Sequence, residues 1–160
     1  MNSLLTKSIL CAGLAILLSG LAARADDALA IVVNVASKLD NVSSSELERY
    51  FKAEKTKTPD GTKLVIAMHA PGRPEREAAL KYIYKMSEDE YTNFFVEATF
   101  TGAVSSAPKA FPSPGAVKKF IAATPGAISY LRESDVDATV KAVKVDGKPT
   151  SDPAYPLKVK

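Results

Sequence analysis

Three short apolar runs, separated by polar and turn-forming segments, predict buried strands. They lie at residues 28–35, 64–68 and 127–131. The first run is apolar on both faces, which is typical of a central strand covered by helices on both sides. A fourth stretch, 136–145, alternates apolar and polar residues, as a strand with one exposed face does. Asp146 and Gly147 could turn that strand back onto residues 157–160 as a short hairpin.

Four helices are predicted between these strands. Ser43 with Glu46, and Ser87 with Glu90, have the Ser-x-x-Glu spacing in which each residue caps a helix start. The first helix is expected to end near Phe51. The other two are expected at residues 75–85, after Pro74, and at residues 115–123, before Pro125 and Gly126.

The order of these elements predicts the fold class. Strand, helix, strand, three helices and a further strand indicate an α/β domain with a mixed sheet flanked by helices. Residues 100–114 contain three prolines and one glycine and are expected to be mostly irregular. Residues 26–160 are enough for one domain and too few for two of ordinary size.

The first 25 residues have the pattern of a secretion signal. Lys7 precedes an apolar run over residues 8–22, and the small residues Ala23 and Ala25 define a cleavage site before Asp26. The alternative is a membrane anchor, which the short run with its glycines and serines does not favour. Residues 1–25 are therefore predicted to be a signal peptide.

Charge and cysteine content argue against a nucleic-acid-binding protein and against a protein built on disulfides or cysteine metal sites. Loss of residues 1–25 would remove Lys7 and Arg24, so 21 basic residues become 19, against 18 acidic ones. A net charge near +1 gives no indication of a nucleic-acid surface. The only cysteine, Cys11, would be removed too, so neither a disulfide nor a cysteine metal site is expected.

Five short motifs follow one another along the chain. They are SELERYF at 45–51, PDGT at 59–62, REAAL at 76–80, FFVEATFTG at 94–102 and TPGAISY at 124–130. In this order they resemble motifs of periplasmic phosphate-type solute-binding proteins, the receptors of ATP-driven importers. The match extends from Ile31 to Leu131, so the chain is identified as a short relative of that family.

The resemblance implies a fold and a function. The fold would be one lobe of a type II periplasmic binding protein, and the protein a non-enzymatic periplasmic module binding phosphate or another small oxyanion for uptake or sensing. Its partner would be an importer or a sensor in the membrane. Receptors of this family close two lobes over the anion, and this chain has the length of one. A homodimer could supply the second.

One departure from the family bears on the ligand. The phosphate-contacting Ser-Gly-Thr turn of the family aligns with Arg73-Pro74-Glu75, which has no hydroxyl group. Ser129 also stands where the family usually has glycine. The family's phosphate contacts therefore do not carry over as they stand.

A candidate anion site remains around the end of the second strand. Arg73 and Arg76 flank a predicted helix start, and arginine can hold an oxyanion through two hydrogen bonds. His69 lies at the same strand end and Asn34 at the end of the first strand, so both are candidate ligand-binding residues. The alternative for the arginines is that they are solvated, with Arg76 paired to Glu75, Glu77 or a neighbouring carboxylate. The alternatives for the other two are that His69 is structural and that Asn34 starts a loop. After loss of residues 1–25, neither a second His nor a Cys would remain to complete a metal site with His69.

Signs of catalysis are few. The chain has no Gly-x-Ser-x-Gly motif, and a mature form would have no cysteine nucleophile. A non-enzymatic role is therefore expected, with no cofactor. The alternative to solute binding is an interaction domain that binds no solute and docks onto another protein of the cell envelope.

Overall fold

The computed structural model describes residues 27–159, which form a seven-stranded mixed sheet with helices on both faces. The strands are β1 (Asp27–Val33), β2 (Asn41–Val42), β3 (Val65–His69), β4 (Lys109–Phe111), β5 (Ala127–Arg132), β6 (Lys141–Val145) and β7 (Lys158–Val159). The helices are α1 (Ser44–Phe51), α2 (Pro74–Ala79), α3 (Glu88–Phe100) and α4 (Pro114–Ala123). The predicted α/β class is confirmed. The predicted signal peptide lies outside the described residues.

Strand direction changes in the middle of the sheet. The order is β2-β6-β1-β5-β3-β4, with β7 paired to the start of β1. β1 runs antiparallel to both β5 and β6, whereas β5, β3 and β4 are parallel to one another. The carboxyl ends of β3 and β5 therefore meet at one edge of the sheet, and the carboxyl end of β1 lies at the opposite edge.

β1 is buried on both faces, as its sequence predicts. Leu29, Ile31 and Val33 belong to the larger core cluster, which includes buried residues of α1, α2 and α3. Ala30 and Val32 face the smaller cluster, which is closed by α4. Alternate side chains of one strand thus enter two cores, because successive side chains in a strand point to opposite faces.

The predicted helix starts are present. Ser87 and Glu90 form a complete capping box at α3, in which each side chain binds the other residue's backbone N–H. Ser43 caps α1 by accepting a hydrogen bond from Glu46 N. The Glu46 carboxylate does not complete that box, because it accepts hydrogen bonds from Tyr50 and Lys55 instead.

The helix predicted at 75–85 changes its geometry midway. After α2 the chain continues as a π-helical turn, Leu80–Tyr84, and Lys85 ends it with a left-handed φ of 56°. Leu80, Ile83 and Tyr84 are all buried there. The wider π turn directs these three side chains into the core.

Residues 100–114 are mostly irregular, as predicted, but they contain β4, which pairs in parallel with β3. Three residues between prolines give too short a pattern to identify a strand. The predicted hairpin of β6 with the C-terminal residues was wrong, because β7 pairs with β1. Asp146 and Gly147 make only a local turn, which a bridge between Val145 and Lys148 closes.

The described helices are short. Within residues 27–159, none is both long enough and apolar enough to span a bilayer.

Candidate functional site

The strands β3 and β5 separate at their carboxyl ends, and side chains fill the gap. Their regular pairing covers only Val65 and Ile66 of β3. Beyond it, the Ser129 hydroxyl donates to the Ala67 carbonyl at 2.8 Å. The Tyr130 hydroxyl accepts a hydrogen bond from the backbone N–H of His69 at 3.2 Å. Ser129, where the resembled family has glycine, therefore connects two strands.

His69 completes this connection with its ring. The imidazole is fully buried and stacks on the Tyr130 ring, with 5.2 Å between the ring centroids. Its Nε2 lies 3.0 Å from the Tyr130 carbonyl, which can only accept, so Nε2 carries the proton. Burial lowers the pKa of His69, which keeps the ring neutral at pH 7. These contacts favour the structural alternative for His69.

Arg76 is buried and is held by three hydrogen bonds within its own chain. Its Nε and Nη2 donate to the two carboxylate oxygens of Glu88 at 2.8 and 2.6 Å, and Nη1 donates to the His69 carbonyl at 2.9 Å. The guanidinium also lies 4.7 Å from the centre of the Tyr91 ring. The hydrogen bonds from Arg76 lower the pKa of Glu88, so the pair is ionised at neutral pH. The alternative interpretation expected Glu75, Glu77 or a neighbouring carboxylate to pair with Arg76, and the partner is Glu88.

Arg73 and Arg132 share one buried carboxylate, that of Glu75. Arg132 Nε donates to Glu75 Oε1 at 2.7 Å, and Arg73 Nε lies 3.4 Å from Glu75 Oε2. Burial alone would raise the pKa of Glu75, but the hydrogen bond from Arg132 and the charges of both arginines lower it overall. Glu75 is therefore an anion held between two cations.

The two arginines keep donors for a further partner. Among residues 27–159, no partner accepts a hydrogen bond from their terminal Nη groups. Both side chains are partly exposed, Arg73 by 37% and Arg132 by 27%. Two guanidinium groups against one carboxylate give the group Arg73, Glu75 and Arg132 a net charge of +1, where β3 and β5 end. Open α/β sheets bind ligands at such edges.

Asn34 lies elsewhere. Its Nδ2 donates to the carbonyls of Ile121 and Ala122 at 2.9 Å each, and its Oδ1 accepts from the backbone N–H of Ala36. The Asn34 amide thereby supplies hydrogen-bond donors to backbone carbonyls in the last turn of α4, which lack the usual partner further along the helix. Since β1 is antiparallel to β5, this end of β1 is at the opposite edge of the sheet. The structure brings His69, Arg73 and Arg76 together but not Asn34.

Sequence reasoning missed Arg132 and Glu88 as parts of this region. It named Glu75 only as an alternative partner of Arg76, whereas Glu75 contacts Arg73 and Arg132. A signal was present for Arg132, because it directly follows the apolar run 127–131 and so marks a strand end. Glu88 is twelve residues from Arg76, and only the packing of α3 against the π-helical turn unites them. Within residues 27–159, no cluster of three or more acidic or histidine side chains could hold a metal.

Comparisons with known proteins identify relatives of this fold. No family model and no curated protein sequence matches the chain. Among solved structures, an ABC-type phosphate transport receptor from Vibrio cholerae has a TM-score of 0.65 and 19% identity, over 79% of this chain and 49% of the receptor. A candidate phosphate ABC transporter substrate-binding protein from Clostridium perfringens, solved with bound phosphate, has a TM-score of 0.65 and 18% identity. That match covers 79% of this chain and 48% of the Clostridium perfringens protein.

PstS from Borrelia burgdorferi has a TM-score of 0.64 and 14% identity, over 85% of this chain and 56% of its own. The chain thus spans about half the length of the structures that it matches. Its described part has the fold found in about half of each of these structures.

Proposed function

We propose that the protein is a solute-binding module that takes phosphate or another small oxyanion between Arg73 and Arg132. The observation that carries this proposal is the pair of arginines around Glu75 at the carboxyl ends of β3 and β5. Arginine binds oxyanions through two parallel hydrogen bonds, and both residues keep their terminal nitrogens for that purpose.

The proposed site differs from the one expected from the sequence. Arg73 is retained. Arg76 is left out because Glu88 already balances its charge, and His69 because its ring is fully buried and its Nε2 donates to the Tyr130 carbonyl. In this proposal Glu75 is a positioning residue, since it fixes both guanidinium groups on one side of the sheet edge.

The structural similarity to phosphate transport proteins supports a proposal for the biological setting. The Vibrio cholerae relative is a receptor for phosphate transport, so this module would serve uptake or sensing together with a membrane importer or sensor. The predicted signal peptide would place it in the periplasm. A second copy of the chain could cover the anion, because the matched receptors have about twice its length. No catalytic role is proposed.

Isothermal titration of the protein with phosphate, sulfate and acetate tests the proposal. We expect saturable heat with phosphate, and an affinity at least tenfold lower in the double variant Arg73→Gln/Arg132→Gln, because two charged hydrogen-bonding partners are lost. Arg49→Gln is the matched control, since the Arg49 side chain is 59% exposed and its one ion pair among residues 27–159 is with Glu54 at 4.0 Å. Absence of saturable heat with every anion at millimolar concentration would refute solute binding and favour the interaction domain.

A further inference from the structure

An open groove lies beside α3, outside the proposed oxyanion site. It has a volume of about 630 Å³. Neither Arg73 nor Arg132 lines it. Its walls are mainly apolar and include Tyr91, Phe95, Val96, Phe100, Pro108 and Ala110.

The shape and lining of this groove are those of a small-molecule site. Sites for such ligands usually have volumes of roughly 300–1,000 Å³, apolar walls and a few well-placed polar groups. Two side chains of α3 on this side are strongly exposed, Val96 by 64% and Phe100 by 92%. Large apolar side chains at such exposure mark places where another molecule can be bound.

Arg76 is the one charged residue among those that line the groove in the described chain. A guanidinium group has five N–H donors. Three of them are used by Glu88 and the His69 carbonyl, which leaves one on each terminal nitrogen. The positive charge is already balanced by Glu88. The polar end of the groove is therefore a hydrogen-bond donor without a net charge.

We propose that this groove binds an uncharged molecule with an alkyl or aryl body and one hydrogen-bond-accepting head, such as a hydroxyl or carbonyl group. The body lies against Tyr91, Val96 and Phe100, and the head accepts from Arg76. Charge complementarity selects a neutral head, because a carboxylate would bring a second negative charge beside Glu88. The site is independent of the oxyanion proposal, since the two share no arginine.

Titration of the isotope-labelled protein with octan-1-ol and with octanoate, followed by amide chemical shifts, tests this assignment. The two probes have the same number of carbons and differ in the charge of the head. We expect saturable shifts in α3 and β4 with octan-1-ol, and binding of octanoate at least about threefold weaker. Equal or tighter binding of octanoate by the unmodified protein would overturn the assignment, as would the absence of saturation with octan-1-ol.

Two variants locate the ligand. Val96→Lys places a charge in the groove and is expected to weaken octan-1-ol binding about tenfold. Val35→Lys is the control, since Val35 is 56% exposed beyond the end of β1 at the opposite edge. An equal effect of both variants, or none from Val96→Lys, would contradict the site.

Glu88→Gln addresses the head group. It leaves Arg76 with an uncompensated charge, so octanoate should now bind more tightly than octan-1-ol. The amide spectrum reports whether the Glu88→Gln variant is folded. If the folded variant still binds octan-1-ol more tightly than octanoate, Arg76 does not bind the head group.

Discussion

Replacement of Glu88 by Gln removes the negative partner of a buried arginine. The Arg76 side chain is only 5% exposed, whereas Glu88 is 41% exposed. Breaking a fully buried ion pair by removing one partner costs about 3–5 kcal/mol. Solvent around Glu88 screens the pair, and glutamine can still accept one hydrogen bond from Arg76. We therefore expect the free energy of unfolding to fall by about 2 kcal/mol at pH 7.

The same pair predicts a pH dependence. Arg76 lowers the pKa of Glu88 below its ordinary value of 4.5 in the folded protein. The unfolded state therefore binds this proton first as the pH decreases, so the contribution is complete above about pH 4.5 and is lost as the pH falls through the folded pKa. The stability difference between the unmodified protein and Glu88→Gln should shrink over that range.

Urea unfolding followed by circular dichroism, at pH 7 and at pH 4 and below, measures both effects. Glu97→Gln is the matched control, because Glu97 lies on the same helix, is exposed, and its carboxylate has no ion pair among residues 27–159. The reasoning is refuted if Glu88→Gln lies within about 0.5 kcal/mol of the unmodified protein at pH 7, or if Glu97→Gln costs as much.

Three further predictions concern single positions and assembly. As the only histidine, His69 gives unambiguous ring resonances, and burial predicts an NMR pKa below 6.5; a value at or above 6.5 contradicts its buried, neutral state. Gly126→Ala should cost more than 2 kcal/mol in thermal or urea unfolding, because φ is +80° and a Cβ would lie 2.1 Å from the Lys63 carbonyl oxygen. Gly147 has a similar φ of +75° but open space where a Cβ would lie, so Gly147→Ala tests backbone strain alone. It should lower the free energy of unfolding clearly less than Gly126→Ala, and equal losses would exclude the clash as the cause. Light scattering should detect a dimer with phosphate present, and a strict monomer with and without it would count against closure by a second copy.

The sequence predicts the elements of this fold better than their arrangement. Apolar runs identify β1, β3 and β5, and capping residues such as Ser87 identify the helix starts, because both signals are local. The direction of β1 is not local. It depends on pairing with β5 a hundred residues away, and it decides that Asn34 lies opposite Arg73.

The candidate site, too, has parts that follow from local sequence and parts that depend on tertiary packing. Arg73 is predicted from its place after a strand, and its partner Glu75 is only two residues further on. The other two pairings join separate elements. Glu88 reaches Arg76 from α3, and Arg132 reaches Glu75 from β5. The connection of β3 and β5 through Ser129 and Tyr130 likewise needs both strands in place. Such pairings depend on tertiary packing, which single-residue patterns do not contain.

The central claim is that Arg132, together with Arg73, holds the anion, and phosphate affinity of the single variant Arg132→Gln tests it most directly. The account predicts a dissociation constant about ten- to a hundredfold higher than that of the unmodified protein, for the loss of one guanidinium partner. Arg49→Gln, measured alongside, should bind phosphate as the unmodified protein does. Unchanged phosphate affinity in a folded Arg132→Gln variant would contradict the account.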